Sequence, residues 1–431
     1  MTPQEKNPDV AVIGGGLSGV CAAVAASRQG AQTVLVESRP FVGGNGTIGL
    51  PITSFRAKGS LPIVVEGLPR ELLERTRAKG GFAGNLETDD WMPIDCEKLQ
   101  IVLTEILEES GVEVICHSPL LSVHRSNGHI ESLSLLGKDD PFSLHAKIFV
   151  DASGDAALAY KAGLTTPMGR SRDGRTQPMT LTFSTGAVET KAFFEAGGPK
   201  ILGPLWDELR ASKPWRNPRQ GSALSWPTEI PGRPAELAWN VTRILVEKGT
   251  DARLLTKAEM EGRLQIQEFV EEFLRPHIPG FAHCYISQIG KQIGVRETRR
   301  ITGEYELQTK DLLDCRKFPD SIACNSYPVD IHSPDGGSTE YRHHSLPEGE
   351  YYTIPYRSLV AAGTDNLLAS GRCISASHEA LSAIRVLSAA MATGQAAGTA
   401  ASLCIAETTP ARSLDPSRLR QTLIRAGAIV D

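Results

Sequence analysis

The chain has 431 residues, of which 41% are hydrophobic and 22% charged, and its formal charge is −5, from 45 lysines and arginines against 50 aspartates and glutamates. That length suits two or three domains with large cores, and the composition is typical of a globular enzyme and excludes a disordered chain. The near balance of charge gives no electrostatic reason to bind nucleic acid or an anionic membrane, so neither is expected as a partner.

The eight cysteines stand singly, with no Cys-x-x-Cys pair and no histidine at metal-ligand spacing beside them. Neither a metal site nor a disulfide framework is therefore predicted. Scattered thiols are typical of a reducing compartment, and we expect a cytoplasmic protein. The uncharged stretch 386–406 is long enough to cross a membrane, but its small residues and Gln395 favour a helix buried in the protein core.

The N-terminal part predicts a βαβ unit. Val10–Ile13 and Thr33–Val36 have the apolar character of buried strands, and an alanine-rich helix over 20–28 connects them. The turn before the helix contains Gly14-x-Gly16-x-x-Gly19, and Glu37 ends the second strand. In this context the glycines allow a tight turn, a close approach to a pyrophosphate and close helix packing, while Glu37 would bind a ribose. A dinucleotide site is predicted here.

The following segments alternate in type. A helix is predicted over 95–110, a strand over 111–115, and antiparallel strands over 119–150 with a hairpin turn at Asn127-Gly128. The segment 211–235 is rich in proline and tryptophan and predicts an irregular excursion that could act as a lid. Thr256 and Glu259 form a capping-box pattern, which predicts a helix starting there and ending at Pro276.

From about residue 352 the small-residue style of the N-terminal part returns, which predicts a nucleotide-binding domain in two pieces. The expected fold class is α/β: a Rossmann-like domain, with a βαβ unit, a parallel sheet and an antiparallel meander, interrupted by an inserted α+β substrate domain. The predicted boundaries are 1–165 and 351–431 for the two parts of the nucleotide domain and 166–350 for the substrate or cap domain.

Several motifs resemble those of a broad bacterial group, the FAD-dependent oxidoreductase family, which has a glutathione-reductase-type FAD fold and is distantly similar to fumarate reductase and succinate dehydrogenase flavoproteins. The motifs are GGNGT at 43–47, GVRETRRITGEY at 294–305, YPVDIH at 327–332, YTIPYRSL at 352–359 and SGRCISASHEA at 370–380. The resemblance covers nearly the whole chain and implies FAD as the cofactor. Where fumarate-reductase-type enzymes attach FAD to a histidine, this chain has Asn45-Gly46-Thr47, so we expect non-covalent FAD.

The resemblance also suggests which residues contact FAD. The turn 151–155 matches a flavin-domain element, 366–376 resembles a second FAD-contacting strand, and 392–398 resembles the helix N-terminus under the pyrimidine end of the flavin. The predicted cofactor contacts are Gly14, Gly15, Gly16, Leu17, Ser18, Gly19, Glu37, Ser38, Arg39, Gly43, Gly44, Asn45, Thr47, Val123, Ala152, Ser153, Gly154, Asp155, Gly371, Arg372, Gly394, Gln395 and Ala396.

The chain shows no second Gly-x-Gly-x-x-Gly after a strand and no Cys-x4-Cys pair, so neither a built-in NAD(P)H domain nor disulfide reduction is expected. Hydride transfer to flavin N5 needs an acid or base beside the ring. His378 is the first candidate for it, and His332, with Asp330 as its orienting neighbour, is the second. We expect two further histidines, His343 and His344, to lie at the surface.

Arginines recur in the same motifs: Arg296, Arg299, Arg300, Arg372 and Arg385. Arg296 is the catalytic candidate among them. Such residues could bind an anionic substrate or stabilise a reduced flavin, and internal salt bridges to Glu297 and Glu304 are the alternative.

Three functions are compatible with these features. The first is oxidation of a small polar substrate, which could be anionic, by hydride transfer to flavin N5. Oxygen or an external acceptor would then reoxidise the flavin. The second is C–C bond chemistry of the fumarate-reductase type, with an arginine as proton donor. The third is a non-catalytic FAD-binding subunit. The sequence leaves the oligomeric state open, a homo-oligomer included.

Overall fold

The structure is a computed structural model that describes residues 7–59, 61–224, 227–336, 338–341 and 346–431, so His343 and His344 lie outside the described residues. In chain order its strands are β1 (Val10–Ile13), β2 (Thr33–Val36), β3 (Ile52–Thr53), β4 (Trp91–Met92), β5 (Glu113–Ile115), β6 (Leu120–Ser126), β7 (His129–Leu136), β8 (Pro141–Leu144), β9 (Ile148–Asp151), β10 (Phe183–Gly186), β11 (Thr228–Glu229), β12 (Leu237–Trp239), β13 (Tyr285–Ile289), β14 (Ser321–Asn325), β15 (Asp330–His332), β16 (Thr339–Tyr341), β17 (Tyr352–Pro355) and β18 (Leu367–Ala369).

The helices are α1 (Leu17–Arg28), α2 (Leu68–Ala78), α3 (Cys96–Glu109), α4 (Ala157–Lys161), α5 (Thr190–Glu195), α6 (Leu202–Arg210), α7 (Ala252–Glu268), α8 (Arg275–His277), α9 (Thr309–Leu313), α10 (His378–Ile384), α11 (Leu387–Glu407) and α12 (Pro416–Arg425). A π-helical turn, Phe269–Leu274, joins α7 to α8.

A five-stranded sheet in the order β18-β9-β1-β2-β5 forms the first layer, and its strands run parallel. All residues of β1, β2 and β9 are buried, as expected for a parallel sheet covered on both faces. The predicted βαβ unit is therefore confirmed. Helix α1 begins at Leu17, earlier than predicted, because Gly16 is its N-cap and the last glycine of the motif lies inside the helix.

The meander β6-β7-β8 is also as predicted. Its first turn is Asn127-Gly128, with φ angles of 50° and 80°, the left-handed pair that a two-residue hairpin needs. Helix α7, in contrast, begins at Ala252 with Asp251 as its N-cap, so the capping box expected at Thr256 is wrong. The Thr256 hydroxyl instead donates to the Ala252 carbonyl inside the helix.

Helix α11 packs directly on α1, and glycine makes the close approach possible. A Cβ on Gly394 would lie 2.1 Å from the carbonyl oxygen of Ser18, and one on Gly398 would lie 1.9 Å from that of Ala22. The uncharged stretch 386–406 is thus a core helix, as predicted, since most of its residues are buried. Within the described part of the chain, no helix is long and apolar enough to cross a membrane.

A second core forms around the antiparallel sheet β11-β12-β10-β13, in which Trp206, Trp239 and Phe269 pack together. This core runs along the chain from Met179 to Ile293. The segment from Ile301 to Leu346 packs into the first core instead. Part of the predicted substrate domain, 166–350, thus packs on the parallel-sheet domain, because β14, β15 and their neighbours bury their apolar side chains against it.

Gly398→Ala tests the contact between α1 and α11. The added methyl group would meet the backbone of Ala22, and we expect the free energy of unfolding to fall by about 1–3 kcal/mol, as for other overpacked cores. Urea denaturation measures this change. Ala406→Val, at an exposed position of the same helix, is the control and should change stability by less than about 0.5 kcal/mol. Equal effects of the two substitutions would contradict the packing argument.

Candidate functional site

The glycine motif forms an open loop at the carboxyl end of β1. Gly14 has a φ of 107°, and a Cβ there would lie 2.5 Å from the carbonyl oxygen of Ala152. A Cβ on Gly16 would meet nothing within 4 Å, so the loop leaves free space at this glycine. The second glycine segment lies alongside, since the Gly43 N–H donates to the Gly15 carbonyl at 2.7 Å. This space and the N-terminus of α1 fit a pyrophosphate.

Glu37 lies beside this loop. Its carboxylate accepts hydrogen bonds from the Gly15 N–H at 2.7 Å and the Arg39 N–H at 2.8 Å. These bonds hold the carboxylate at the end of β2, where the acidic residue of a dinucleotide site contacts a ribose. A carboxylate can accept further bonds, so the ribose contact predicted for Glu37 fits this position.

Two aspartates, Asp151 and Asp155, stabilise the turn after β9 through hydrogen bonds and an ion pair. Asp151 accepts hydrogen bonds from Ser153 and from the N–H groups of Leu158 and Ala159, and burial raises its pKa. Asp155 forms an ion pair with Arg372 at 3.0 Å. Gly154 has positive φ and packs on the same guanidinium. The structure thus brings together the predicted contacts at 152–155 and Arg372, which lie far apart in the chain.

The predicted contacts Gly394, Gln395 and Ala396 are placed differently. They lie inside α11, whose N-terminus is at Leu387, so the expectation that 392–398 forms a helix N-terminus is wrong. Gly394 packs on α1, and the Gln395 side chain accepts a hydrogen bond from the Leu68 N–H at 3.0 Å. These residues serve packing. The true N-terminus of this long helix, with its partial positive charge, is the part that borders the cleft described next.

A cleft with a cavity volume of about 140 Å³ lies where the two cores meet. Asn45, Arg372 and Leu387 line it from the parallel-sheet domain, and Thr180, Arg219 and Asn240 line it from the second core. Arg296, Asp330 and His332 complete its polar lining. Two of the three predicted catalytic residues, His332 and Arg296, are therefore in the same cleft as predicted FAD contacts.

His332 is buried and has a defined protonation. The guanidinium of Arg243 donates to its Nδ1 at 2.9 Å. Since an arginine has only donors, Nδ1 carries no proton, and the neutral ring holds its proton on Nε2. Burial, together with the positive Arg296, lowers the pKa of His332 well below its ordinary value, which agrees with a neutral ring. Nε2 lies 3.4 Å from Asp330 Oδ2, so His332 is a hydrogen-bond donor on the cleft side.

Asp330 is the carboxylate of the cleft. Burial by itself would raise its pKa, but the ring N–H of His332 and the nearby Arg385 and Arg296 outweigh burial and keep the pKa well below its usual range. Oδ2 also accepts a hydrogen bond from the Tyr327 hydroxyl at 3.3 Å. Oδ1 is buried and has no hydrogen-bond partner among the described residues. Asp330 is therefore ionised at neutral pH and keeps one oxygen uncommitted.

His378 does not line the cleft. Its Nδ1 donates to Glu297 at 2.8 Å, and Arg300 donates to the same oxygen at 2.8 Å. All three side chains are buried. His378, the first candidate for the acid or base, is thus part of an ion-pair network. Arg300 forms the internal salt bridge to Glu297 that was the alternative to a role in binding. The geometry favours the Asp330–His332 pair over His378.

Three residues of the site escaped the sequence argument: Arg219, Asn240 and Arg243. Arg219 comes from the irregular segment that was expected to be a lid, and the other two follow β12. No local pattern marks them, because their role arises only when the second core folds against the first.

His378→Leu distinguishes the two roles. Because it removes a donor to buried Glu297, we expect stability to fall by about 1–3 kcal/mol, while flavin reduction by a substrate stays within a few-fold of wild type. Thermal melting and stopped-flow reduction measure the two effects. A loss of reduction of a hundredfold or more at unchanged FAD content would restore His378 as the catalytic group.

The presence of an asparagine at position 45 indicates that FAD is bound non-covalently. Its side chain donates to the Val295 carbonyl at 3.1 Å, and an amide offers no ring nitrogen for a bond to the flavin. We therefore expect acid precipitation of the purified protein to release all of its flavin into the supernatant, as measured by absorbance. Flavin retained in the washed pellet would show a covalent link and contradict this expectation.

The family model described as FAD dependent oxidoreductase matches residues 9–423. No curated protein sequence matches the chain. Similar solved structures include a geranylgeranyl bacteriochlorophyll reductase-like protein from Thermoplasma acidophilum, with 14% identity, a TM-score of 0.49 and coverage of 98% of this chain and 84% of that one. Another is p-nitrophenol 4-monooxygenase from Pseudomonas putida, with 12% identity, a TM-score of 0.47 and coverage of 98% and 87%.

The family match spans almost the entire sequence, so it includes the glycine loop, the Arg296 segment and the α11 helix. It confirms the resemblance and FAD as the cofactor, for which the free space at Gly16 and the position of Glu37 provide a fitting site. The chain belongs to the FAD dependent oxidoreductase family and is an FAD-dependent enzyme.

Proposed function

We propose that the enzyme is a dehydrogenase or oxidase that oxidises a small polar organic molecule in the cleft, with oxygen or a separate carrier as the final electron acceptor. When bound, FAD supplies the hydride acceptor, flavin N5. The observation that carries the proposal is the cleft itself. It joins an ionised carboxylate and a neutral histidine, Asp330 and His332, to residues of the FAD-binding part such as Asn45 and Arg372.

Oxidation at a C–H bond next to O–H or N–H removes a hydride from carbon and a proton from the heteroatom. Asp330 is the carboxylate proposed to take that proton, because its Oδ1 has no hydrogen-bond partner among the described residues. Its lowered pKa makes it a weak base, so it passes the proton on to solvent. Both ring nitrogens of His332 are assigned, one as acceptor from Arg243 and one as donor. His332 is therefore proposed to donate a hydrogen bond and to orient Asp330 or the substrate, and the expectation that it takes the proton is revised.

Positive charge surrounds this pair. Arg219, Arg296, Arg372 and Arg385 line the cleft, and the N-terminus of α11 adds a partial positive charge at Leu387. Such an environment stabilises negative charge that develops on a neighbouring ring. It supports a site in which a substrate gives up electrons to the cofactor.

Anaerobic mixing of the FAD-loaded protein with pooled compounds tests the proposal. The pools contain alcohols and sugars, amines, 2-hydroxy acids, saturated dicarboxylates, and reduced nicotinamides. Bleaching of the flavin spectrum by an organic pool is the expected result. Bleaching by nicotinamides alone would indicate a reductase or hydroxylase, and reoxidation of reduced enzyme only by unsaturated acids would indicate C–C chemistry. No response in either direction would contradict the proposed oxidation.

Asp330→Asn is the sharpest variant for this function. The amide keeps the size of the side chain but cannot take up a proton, so we expect the rate of flavin reduction by the identified substrate to fall by about 10²–10⁴-fold while FAD remains bound. Stopped-flow absorbance measures the rate. The control is Asp335→Asn, because Asp335 lies just after the same strand but is exposed and paired with Arg170. Equal rates in wild type and Asp330→Asn would exclude the assigned role.

A further inference from the structure

We propose that Arg296 binds a carboxylate group of the substrate, so that the enzyme acts on small organic carboxylates with an apolar body. The inference rests on the proposed function and narrows its substrate class. Among the described residues, Arg296 donates to the Pro178 carbonyl at 2.7 Å and has no carboxylate within 4 Å. It is 8% exposed and lines the cleft. A buried guanidinium without a paired anion is costly, and its planar fork matches a carboxylate.

The surroundings of Arg296 add further positive charge. Arg385 and Arg219 also line the cleft, and Asp330 is the carboxylate among its described lining residues. Burial, followed by the proximity of Arg385, Arg219 and Arg243, lowers the pKa of Arg296. This direction means that the charged form of Arg296 is held at a cost. A bound anion would offset that cost, whereas a cationic substrate would increase it.

Unused hydrogen-bond donors lie near the same place. Nε of Arg385 and Nε2 of Gln177 are buried and have no acceptor among the described residues. The side-chain amide oxygen of Gln177 already has partners. It accepts hydrogen bonds from the backbone N–H of His332 at 3.4 Å and from the guanidinium of Arg385 at 3.3 Å. These two unmatched donors lie near one unmatched acceptor, Oδ1 of Asp330. This imbalance favours a ligand that brings acceptor oxygens.

Part of the cleft lining is apolar. Trp91 is 43% exposed, and the partly buried Leu50 and Pro51 line the cleft with it. The lining therefore combines apolar side chains with the buried, charged Arg296. A molecule that carries both a carboxylate and an apolar body matches this mixed lining.

Binding of benzoate to the oxidised, FAD-loaded enzyme tests the proposal, with changes in the flavin absorbance spectrum and in the melting temperature as readouts. We expect benzoate to perturb the spectrum and raise the melting temperature at constant ionic strength. Benzamide, which has the same shape without the charge, and benzylamine, which is a cation, should do neither. Inorganic phosphate separates a carboxylate site from a general oxyanion site. Benzoate has no C–H bond next to O–H or N–H that could be oxidised, so its binding is measured independently of catalysis.

Arg296→Met should weaken benzoate binding by about 10- to 100-fold and leave the melting temperature of the unliganded holoenzyme equal or higher, because an unpaired buried charge is removed. Arg296→Lys, which keeps the charge without the fork, should bind with intermediate affinity and covers the case in which the methionine variant does not fold. The control is Arg299→Met, because Arg299 stacks on Tyr160 and does not line the cleft. It should bind benzoate as wild type does.

The proposal is overturned by any of four results: no benzoate binding, equal binding of benzamide, tighter binding of phosphate, or unchanged affinity in the Arg296 variants. If benzoate binds through Arg296 but no organic pool reduces the flavin, the carboxylate site stands and the proposed oxidation fails. If a pool of neutral substrates reduces the flavin and benzoate does not bind, the reverse holds.

Discussion

The buried carboxylate of Glu297 is the interaction on which the geometry of the site depends. It is fully enclosed, so its charge has to be compensated by neighbouring groups. Arg300 and His378 bond to one of its oxygens, and the N–H of Gln177 donates to the other at 3.1 Å. These partners come from three separate stretches of the chain. The carboxylate therefore ties α10 of the parallel-sheet domain to the strand-like segment that enters the second core.

This tie positions the functional groups around it. Arg296 precedes Glu297 directly, and Gln177 contacts both His332 and Arg385 through its side chain. Removing the partners of Glu297 would lower the free energy of unfolding by about 3–5 kcal/mol, as is typical of a broken buried pair. Through Gln177, the network that compensates the buried charge also holds an arginine of the cleft in place. Within the motif 294–305, Arg296 lines the cleft, whereas Glu297 and Arg300 belong to the buried network beside it.

What the sequence predicted well is local in origin. The glycine loop, the Asn127-Gly128 turn and the buried helix within 386–406 depend on backbone freedom and hydropathy, which a few neighbouring residues determine. The start of α11 was misplaced because Val386 gives no side-chain cap to mark it.

The sequence alone gives no means of choosing between the two histidines. His378 and His332 each stand in a family-like motif, and only tertiary contacts separate them: a glutamate 81 positions away for one, an arginine 89 positions away for the other. Arg219 and Asn240 were missed because the second core brings them to the cleft. The packing of 301–346 into the first core was not predicted for the same reason, since it leaves no mark in composition.

The division of the parallel-sheet domain between the two ends of the chain also has a consequence for synthesis on the ribosome. Its edge strand β18 and the helix α11 that covers α1 both come from beyond residue 366. The glycine loop at residues 14–19 therefore leaves the ribosome long before α11, which packs on the helix that follows the loop, has been synthesised. The second core, whose members lie between Met179 and Ile293, is complete before α11 is made. Because domains generally fold as units, the second core can fold before the parallel-sheet domain, and the FAD site is completed after it.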